Sequence, residues 1–512
     1  MTIKVRYLAL FLVLALLTTA FFSCAPVTPS EDTNGGADSS AGSDTSDGEG
    51  DTSKPEETPA SGTSITSGVM PSVYITTDDD ENSWATRYQR SDKLAGLIEY
   101  TDAIINVEDC AEEYEIVDAL AEVKVRGNYT LNYDKKPIRI KFKEKTGMLG
   151  LHDGEAYKNW VLLAEWKDPS LLRNALTFYL GNAILGEDGY YCSDFEYVEV
   201  YLNGEYWGVY LLVEQQEVKD GRTSVPEVEK GYTGTDIGYF FEYDGYYDEE
   251  AAMPDGDPTF EMKYGGGRDG ARGYTIKSDI YSDAQVDFLR GYMNNLYTIV
   301  YRAIYEDRYF EFNDDMTGLV SAACYENAME AVASVIDLDS LVDTYILNEI
   351  ACDLDVDFSS FYLSLDLTED GAGLLVFEAP WDFDSAYGIW RRMCTDARGL
   401  YAMKRGNPWF KLFEGVDWFE ALVKERWAEI RACGVLDGAL SMIETKTELY
   451  REYYIENHER WRKRLDEGHY GNLIPLLEQF DDPATAQAIA ADHLSDWLTR
   501  RIEYLDGVWA KE

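Results

Sequence analysis

Two stretches of this sequence concentrate residues that could do chemistry, and they carry opposite charge. The first is cationic: between residues 123 and 145 stand Lys124, Arg126, Lys135, Lys136, Arg139, Lys141, Lys143 and Lys145, against only Asp134 and Glu144. Within it, Ile138, Ile140 and Phe142 alternate with Arg139, Lys141 and Lys143. That is the period of a strand with one face in a core and the other lined by cations about 6.6 Å apart. Just upstream, Arg126-Gly127-Asn128-Tyr129-Thr130 predicts a tight turn with free amides. Free N–H groups beside a row of cations form a cradle for polyphosphate. The same alternation also suits a solvated strand face. No GxxxxGK[ST] motif occurs, which excludes a P-loop nucleotidase.

The second stretch is acidic. Asp353, Asp355 and Asp357 are followed by Asp382 and Asp384, with Phe358, Trp381 and Phe383 among them. Carboxylates gathered beside apolar side chains repel one another unless a cation neutralises them. Their hard oxygens favour Mg2+ or Ca2+. An EF-hand is excluded, because Phe358 stands where its loop needs Gly and Ser364 where it needs Glu. Solvated acidic loops are the plainer alternative in so acidic a chain. His152, His458, His469 and His493 are scattered and show no metal-ligand spacing. Cations that hold phosphates, one Asp that orients or deprotonates a hydroxyl, and a second Asp about 25 residues later that holds a metal are the parts of phosphoryl transfer.

The elements that must position these groups fall into two textures. Residues 73–75, 121–125, 138–142, 197–202, 207–213 and 238–243 are β-branched or aromatic runs bounded by turn residues. Asn203-Gly204 between two such runs predicts a two-residue hairpin turn, since both positions need positive φ. One helix is expected in this half, over 170–181. Beyond about residue 283, segments 284–305, 338–351, 416–433, 436–464 and 485–506 carry apolar residues at helical steps. A hairpin over 360–365 and 374–377 interrupts them.

The 512 residues carry a net charge of −50 and are 45% hydrophobic. Such a surface repels phosphodiester backbones, so nucleic acid is excluded as a general partner. Residues 1–23 read as a secretory signal: Lys4 and Arg6 precede an apolar run over 8–17. Cys24 follows Ser23 as in a bacterial lipobox, although Phe21 stands where Leu is usual. Lipid on Cys24 would anchor the chain on the extracytoplasmic face of the membrane or at the cell surface. Residues 24–71 are Ser-, Thr-, Gly- and Asp-rich and predict a disordered acidic spacer. The other six cysteines are far apart, which favours isolated thiols.

Four stretches resemble the CotH family, the spore-coat protein H-type atypical protein kinases. They are Arg126-Gly127-Asn128 with Lys135-Lys136-Pro137-Ile138-Arg139-Ile140-Lys141; Lys158-Asn159-Trp160-Val161-Leu162-Leu163-Ala164 with Asp168, Ser170, Leu172, Arg173 and Asn174; Gly204-Glu205-Tyr206-Trp207-Gly208-Val209-Tyr210 ending in Glu214; and Asn348-Glu349 through Asp355 to Trp381-Asp382-Phe383-Asp384 and Gly388. They come in family order over residues 72–505. The resemblance implies an α+β, kinase-like, two-lobed fold, with a β-rich lobe over 72–282 and a mainly helical lobe over 283–512. It implies ATP and Mg2+ as cofactors, and transfer of the γ-phosphate to Ser or Thr of a protein acceptor.

Carried over by position, Asp355 would be catalytic. Arg126, Lys136, Arg139 and Lys141 would meet the nucleotide phosphates, with Glu214 an orienting carboxylate. Asp382, Asp384 and Ser360 would serve the metal. Tyr129 stands where Ser is usual, and Asp353 where Asn is common. Two other readings exist: a non-catalytic surface binding or assembly lipoprotein on the same scaffold, and a glycoside hydrolase using two of Asp355, Asp382 and Asp384. The hydrolase leaves the cationic strand unexplained.

Overall fold

Alternation along the first half of the chain closes a sheet on itself. The structure, a computed structural model, describes residues 68–389, 395–462 and 482–510. Cys24, Cys394, His469 and nearly all of the expected leader and spacer lie outside them. Strands β1 (Ser72–Thr77), β2 (Thr101–Glu108), β3 (Ile116–Val125), β4 (Ile138–Thr146), β5 (Tyr157–Leu163), β6 (Phe195–Leu202) and β7 (Glu205–Glu214) form a closed barrel in the order β1-β2-β3-β4-β5-β7-β6. Neighbours are antiparallel except β1 and β6, whose parallel pairing closes the ring with Ser72 opposite Glu199. The Asn203-Gly204 turn has φ of 49° and 79°, the positive values its sequence predicts.

Val73, Ile105, Val123, Ile140, Trp160, Val200 and Leu212 fill the barrel. Tyr210 and Leu212 of β7 point into it, while Val209, Leu211 and Val213 join a second, larger core. β7 is therefore a wall shared by two cores, which is why its sequence is apolar on both faces.

The chain continues through β8 (Gly238–Tyr243), β9 (Thr259–Glu261), β10 (Gly273–Ile276), a small hairpin of β11 (Phe310–Phe312) and β12 (Leu319–Ser321), then β13 (Phe361–Asp366) and β14 (Leu375–Glu378). β13 and β14 pair as the expected hairpin, Leu363 opposite Phe377. β13 also pairs with β8, Leu363 opposite Phe241, building a five-stranded sheet in the order β14-β13-β8-β10-β9. Strands from both sides of residue 282 thus share one sheet. The fold is α+β.

Helices Asp283–Glu306, Leu338–Ala351, Asp417–Cys433 and Pro483–Trp509 occupy the segments with helical periodicity. The single helix expected over 436–464 is instead two, Val435–Leu449 and Arg451–Arg460, divided at Tyr450 (φ −105°, ψ 19°). The Tyr450 ring is buried edge-on against Tyr197 of β6, 5.8 Å between centroids. Among the described residues no helix is long and apolar enough to cross a membrane. Among the described residues Cys110, Cys192, Cys324 and Cys433 are free thiols.

Candidate active site

The acidic segment at 381–388 is held by the start of helix Arg173–Ile184. Asp168 is fully buried and accepts from the amides of Ser170 (2.9 Å), Leu172 (2.9 Å) and Arg173 (2.8 Å). These amides are otherwise orphaned at a helix start, which is why the helix begins at Arg173 rather than at Ser170. The Arg173 side chain pairs with Asp168 and donates from Nε to the Ala386 carbonyl at 3.1 Å. Asn174 accepts from the Phe383 amide at 2.7 Å. Thr177 and Tyr387 share a 2.7 Å hydroxyl contact. Gly388, at φ 71°, passes so close to the Trp497 indole that a Cβ would stand 2.1 Å from its Nε1. The Asp168-to-Asn174 motif therefore works by docking the strip that bears Asp382 and Asp384.

Asp353 and Asp355 leave the C-terminal end of helix Leu338–Ala351. That helix is pinned by buried Glu349, which accepts from Arg501 Nη2 at 2.7 Å and from the amides of Tyr401 and Ala402. The two acidic segments converge on one ammonium. Lys167 Nζ lies 3.1 Å from Asp384 Oδ1 and 3.3 Å from Ser385 Oγ. Burial works against its charge, yet Asp384, Asp382 and Asp355 hold its pKa well above the usual lysine range. Asp382 is pushed up to about 7 by burial and by Asp384, with Lys167 and Arg126 opposing the shift. Asp353 is driven well above the carboxylate range by burial and then by Asp355.

Arg126 closes the cluster from the barrel side. Its guanidinium lies over the Trp381 ring, 5.4 Å from the centroid. Burial and the neighbouring Arg139 lower its pKa to about 10, while Tyr362, Asp382 and Glu242 support its charge. The positive end of the barrel and the acidic strips thus share a wall made of Arg126, Trp381 and Asp382.

The remaining residues singled out by sequence divide between two places. Arg139 donates from Nε to Gln215 at 3.2 Å and stands opposite Lys124 on β3. Lys141, further along β4, is half exposed, 3.9 Å from Glu122 and over the Tyr100 ring. These continue the cationic face outward from Arg126. Lys136 does not: it is buried, and its Nζ donates to the carbonyls of Leu131 (2.8 Å) and Tyr133. It folds the 129–133 turn instead of lining the surface. Ser360 offers its amide to Glu242 Oε1 at 2.9 Å.

Glu214 also stands apart from the acidic cluster. It is fully buried between Arg222 Nε (3.1 Å) and His152 Nδ1 (3.2 Å), and accepts from the Asp194 amide at 2.9 Å. A cavity of about 460 Å³ opens beside His152, Asp194 and Tyr191 and shares no lining residue with the acidic cluster.

Sequence reasoning passed over Lys167, Arg268, Arg405 and Glu242. Arg268 Nη1 lies 3.2 Å from Asp355 Oδ1 and its Nη2 2.8 Å from Asp357 Oδ1, an oxygen shared with Arg405 at 3.0 Å. Lys167 sits next to Asp168 inside a motif already noted, so adjacency was a usable signal. Arg268 lies in a Gly-rich loop with no periodicity and gave none.

The family comparison bears directly on this arrangement. The sequence model described as CotH kinase protein matches residues 123–505. The chain belongs to the CotH kinase family. The CotH match begins on β3, just ahead of Arg126, and takes in both acidic strips, Lys167 and most of the C-terminal helix. Among curated proteins no match was found.

The donors suit the cation such a kinase family implies. Asp382 and Asp384 carry hard carboxylate oxygens at the end of a cationic row, and Asp382 is raised by burial first and then by Asp384 beside it. Among the described residues, no three His, Cys, Asp or Glu side chains converge closely enough to hold a metal by themselves. Mg2+ commonly takes one or two carboxylates and completes its shell with water and substrate phosphate.

Proposed function

We propose that this protein is an ATP-dependent phosphotransferase of the protein-kinase type, transferring the γ-phosphate to a Ser or Thr hydroxyl on a protein acceptor. The observation that carries the reading is the Arg126 guanidinium over the Trp381 ring, next in the chain to Asp382, on the acidic strip where Lys167 meets Asp384. In this reading the barrel and the helical part act as the two lobes. Arg126, Arg139 and Lys141 draw the triphosphate to the barrel edge through charge-assisted hydrogen bonds. Asp382 and Asp384 would hold Mg2+, which when bound would neutralise charge developing on the phosphate oxygens. Lys167 keeps the two carboxylates together before the nucleotide arrives. Asp355, 23% exposed on its side chain, orients the acceptor hydroxyl and takes its proton.

Lipid on Cys24 would keep this chemistry outside the cytoplasm, with the acidic spacer setting the reach to acceptors. Metabolic labelling with a lipid precursor, lost in Cys24→Ser, tests the anchor. The reaction is tested by Mg-ATP binding and γ-phosphate transfer. Asp355→Asn should abolish transfer while keeping nucleotide binding, and Asp382→Asn should weaken the metal-dependent part of that binding. A wild-type protein that is neither stabilised by Mg-ATP nor able to transfer phosphate would leave a non-catalytic surface binding or assembly role in its place.

A further inference from the structure

The loop from β9 to β10 reads Tyr264-Gly-Gly-Gly-Arg268-Asp-Gly-Ala-Arg272-Gly. It carries a cation onto the one aspartate that the reaction above requires to act alone. The loop backbone is seated tightly. The Arg268 amide donates to the Asp357 carbonyl at 2.9 Å, and Tyr243 Oη donates to the Ala271 carbonyl at 2.9 Å. A Cβ on Gly267 would stand 2.1 Å from Tyr243 Oη and 2.4 Å from the Asp357 carbonyl, so a side chain there would lift the loop away.

From this seat the Arg268 guanidinium lies over the Phe358 ring, 5.1 Å from its centroid, and forks between Asp355 and Asp357. Arg268 Nη2 also donates to the Leu354 carbonyl, and Arg405 reaches the same two acceptors, 3.0 Å from Asp357 Oδ1 and 3.3 Å from the Leu354 carbonyl, but not Asp355. Asp355 Oδ1 is therefore spent on Arg268, whereas Oδ2 accepts no hydrogen bond among the described residues.

Asp355 also lies in the field of a second cation, the Lys167 ammonium. A partly exposed carboxylate settles on the cation that is already fixed beside it: Arg268 is anchored on Asp357 and Leu354 and gives Asp355 one N–H, whereas the Lys167 ammonium is engaged with Asp384. We propose that Arg268 is the positioning residue for Asp355: it holds Oδ1, keeps the carboxylate out of the Lys167–Asp384 group, and leaves Oδ2 to meet the acceptor hydroxyl. The inference rests on the phosphotransferase reading. It adds a division of labour among the acids, imposed by a cation from a separate sheet.

The test uses the whole protein with Mg-ATP and dephosphorylated casein as acceptor. In Arg268→Gln, kcat should fall about 10- to 100-fold with KM for Mg-ATP changed by less than about twofold, the mark of a misaimed group rather than a lost binding contact. Arg268→Lys should recover kcat to within about tenfold of wild type, since an ammonium can hold Oδ1 without the fork.

An Arg268→Gln kcat within about twofold of wild type overturns the inference. So does an Arg268→Lys protein as impaired as Arg268→Gln, which would make Arg268 a packing residue. If Arg268→Gln gives no cooperative melt, Arg405→Gln decides against Arg268→Lys. Arg405 reaches Asp357 and Leu354, so a larger kcat loss there than in Arg268→Lys overturns the assignment, and a smaller one supports it. Wild-type protein that transfers no phosphate overturns the phosphotransferase reading and this inference with it. Transfer by wild type with kcat untouched in Arg268→Gln overturns the inference alone.

Discussion

Lys167 Nζ and Asp384 Oδ1 lie 3.1 Å apart although 217 residues separate them in the chain. The ammonium is shared electrostatically with Asp382 and Asp355, so one lysine stands in for the charge that three carboxylates call for.

Removing it should expose that dependence. Lys167→Met leaves Asp384, nearly buried, without its partner, and breaking such a pair costs about 3 kcal/mol. Chemical denaturation should show this deficit, and millimolar Mg2+ should return most of it by supplying the missing charge. A deficit that Mg2+ does not alter would separate the carboxylates from any cation site.

Arg126 and Lys136 belong to the same cationic stretch but should behave in opposite ways. Arg126→Gln is expected to weaken Mg-ATP binding by about 10- to 100-fold, the scale of one lost charge-assisted contact, with little change in melting temperature. Lys136→Met strands two buried carbonyls, so it should lower stability by about 1–3 kcal/mol. Its Mg-ATP affinity should then match wild type when both are measured well below their melting points.

Glu165 supplies a pH test. It is buried, accepts from Asn174 Nδ2 at 2.9 Å, and has no partner for Oε2. Burial raises its pKa to about 8, with Asp168 and Asp384 adding to the shift and Lys135 opposing it. A carboxyl whose folded pKa is raised stabilises the fold fully at low pH and loses that contribution as pH climbs from the unfolded value toward 8. Glu165→Gln should therefore flatten the fall in stability between about pH 5 and pH 8 relative to wild type. Equal slopes in the two proteins would show that Glu165 is already ionised in the fold.

The Glu349–Arg501 pair is buried on both sides and ties the C-terminal helix to the helix that ends at Ala351. Arg501→Met and Glu349→Gln should each cost about 3–5 kcal/mol, because each leaves a buried charge unpaired. The double variant should lose about 2 kcal/mol less than the two singles together, as a denaturation cycle would measure. Strict additivity would show that each residue acts through its backbone partners alone.

Much of the site was legible because charge and strand parity are local properties. Val123, Val125, Ile138, Ile140 and Phe142 face cores, so Lys124, Arg126, Arg139 and Lys141 had to face outward. Parity stops at Ile138, where β4 begins: Lys135 and Lys136 ahead of it are both buried and donate to backbone carbonyls. The density of aspartates around 353–357 and 382–384 likewise marked one cluster. β2 and β5 went unrecognised: Thr101–Glu108 mixes Asp, Asn and Glu into its apolar pattern, and Tyr157–Leu163 opens on polar residues before its buried run.

The amino-acid order by itself settled which side chains carry charge, which strand face each one takes, and that the Asn203-Gly204 turn bends a hairpin. Only the tertiary structure decided the partners: Lys167 for Asp384, Arg268 for Asp355, Arg222 and His152 for Glu214. Periodicity is written over a few neighbouring residues, whereas an ion pair depends on distance through space and on how much water the fold removes. Both are fixed only once the barrel, the second sheet and the helices have packed.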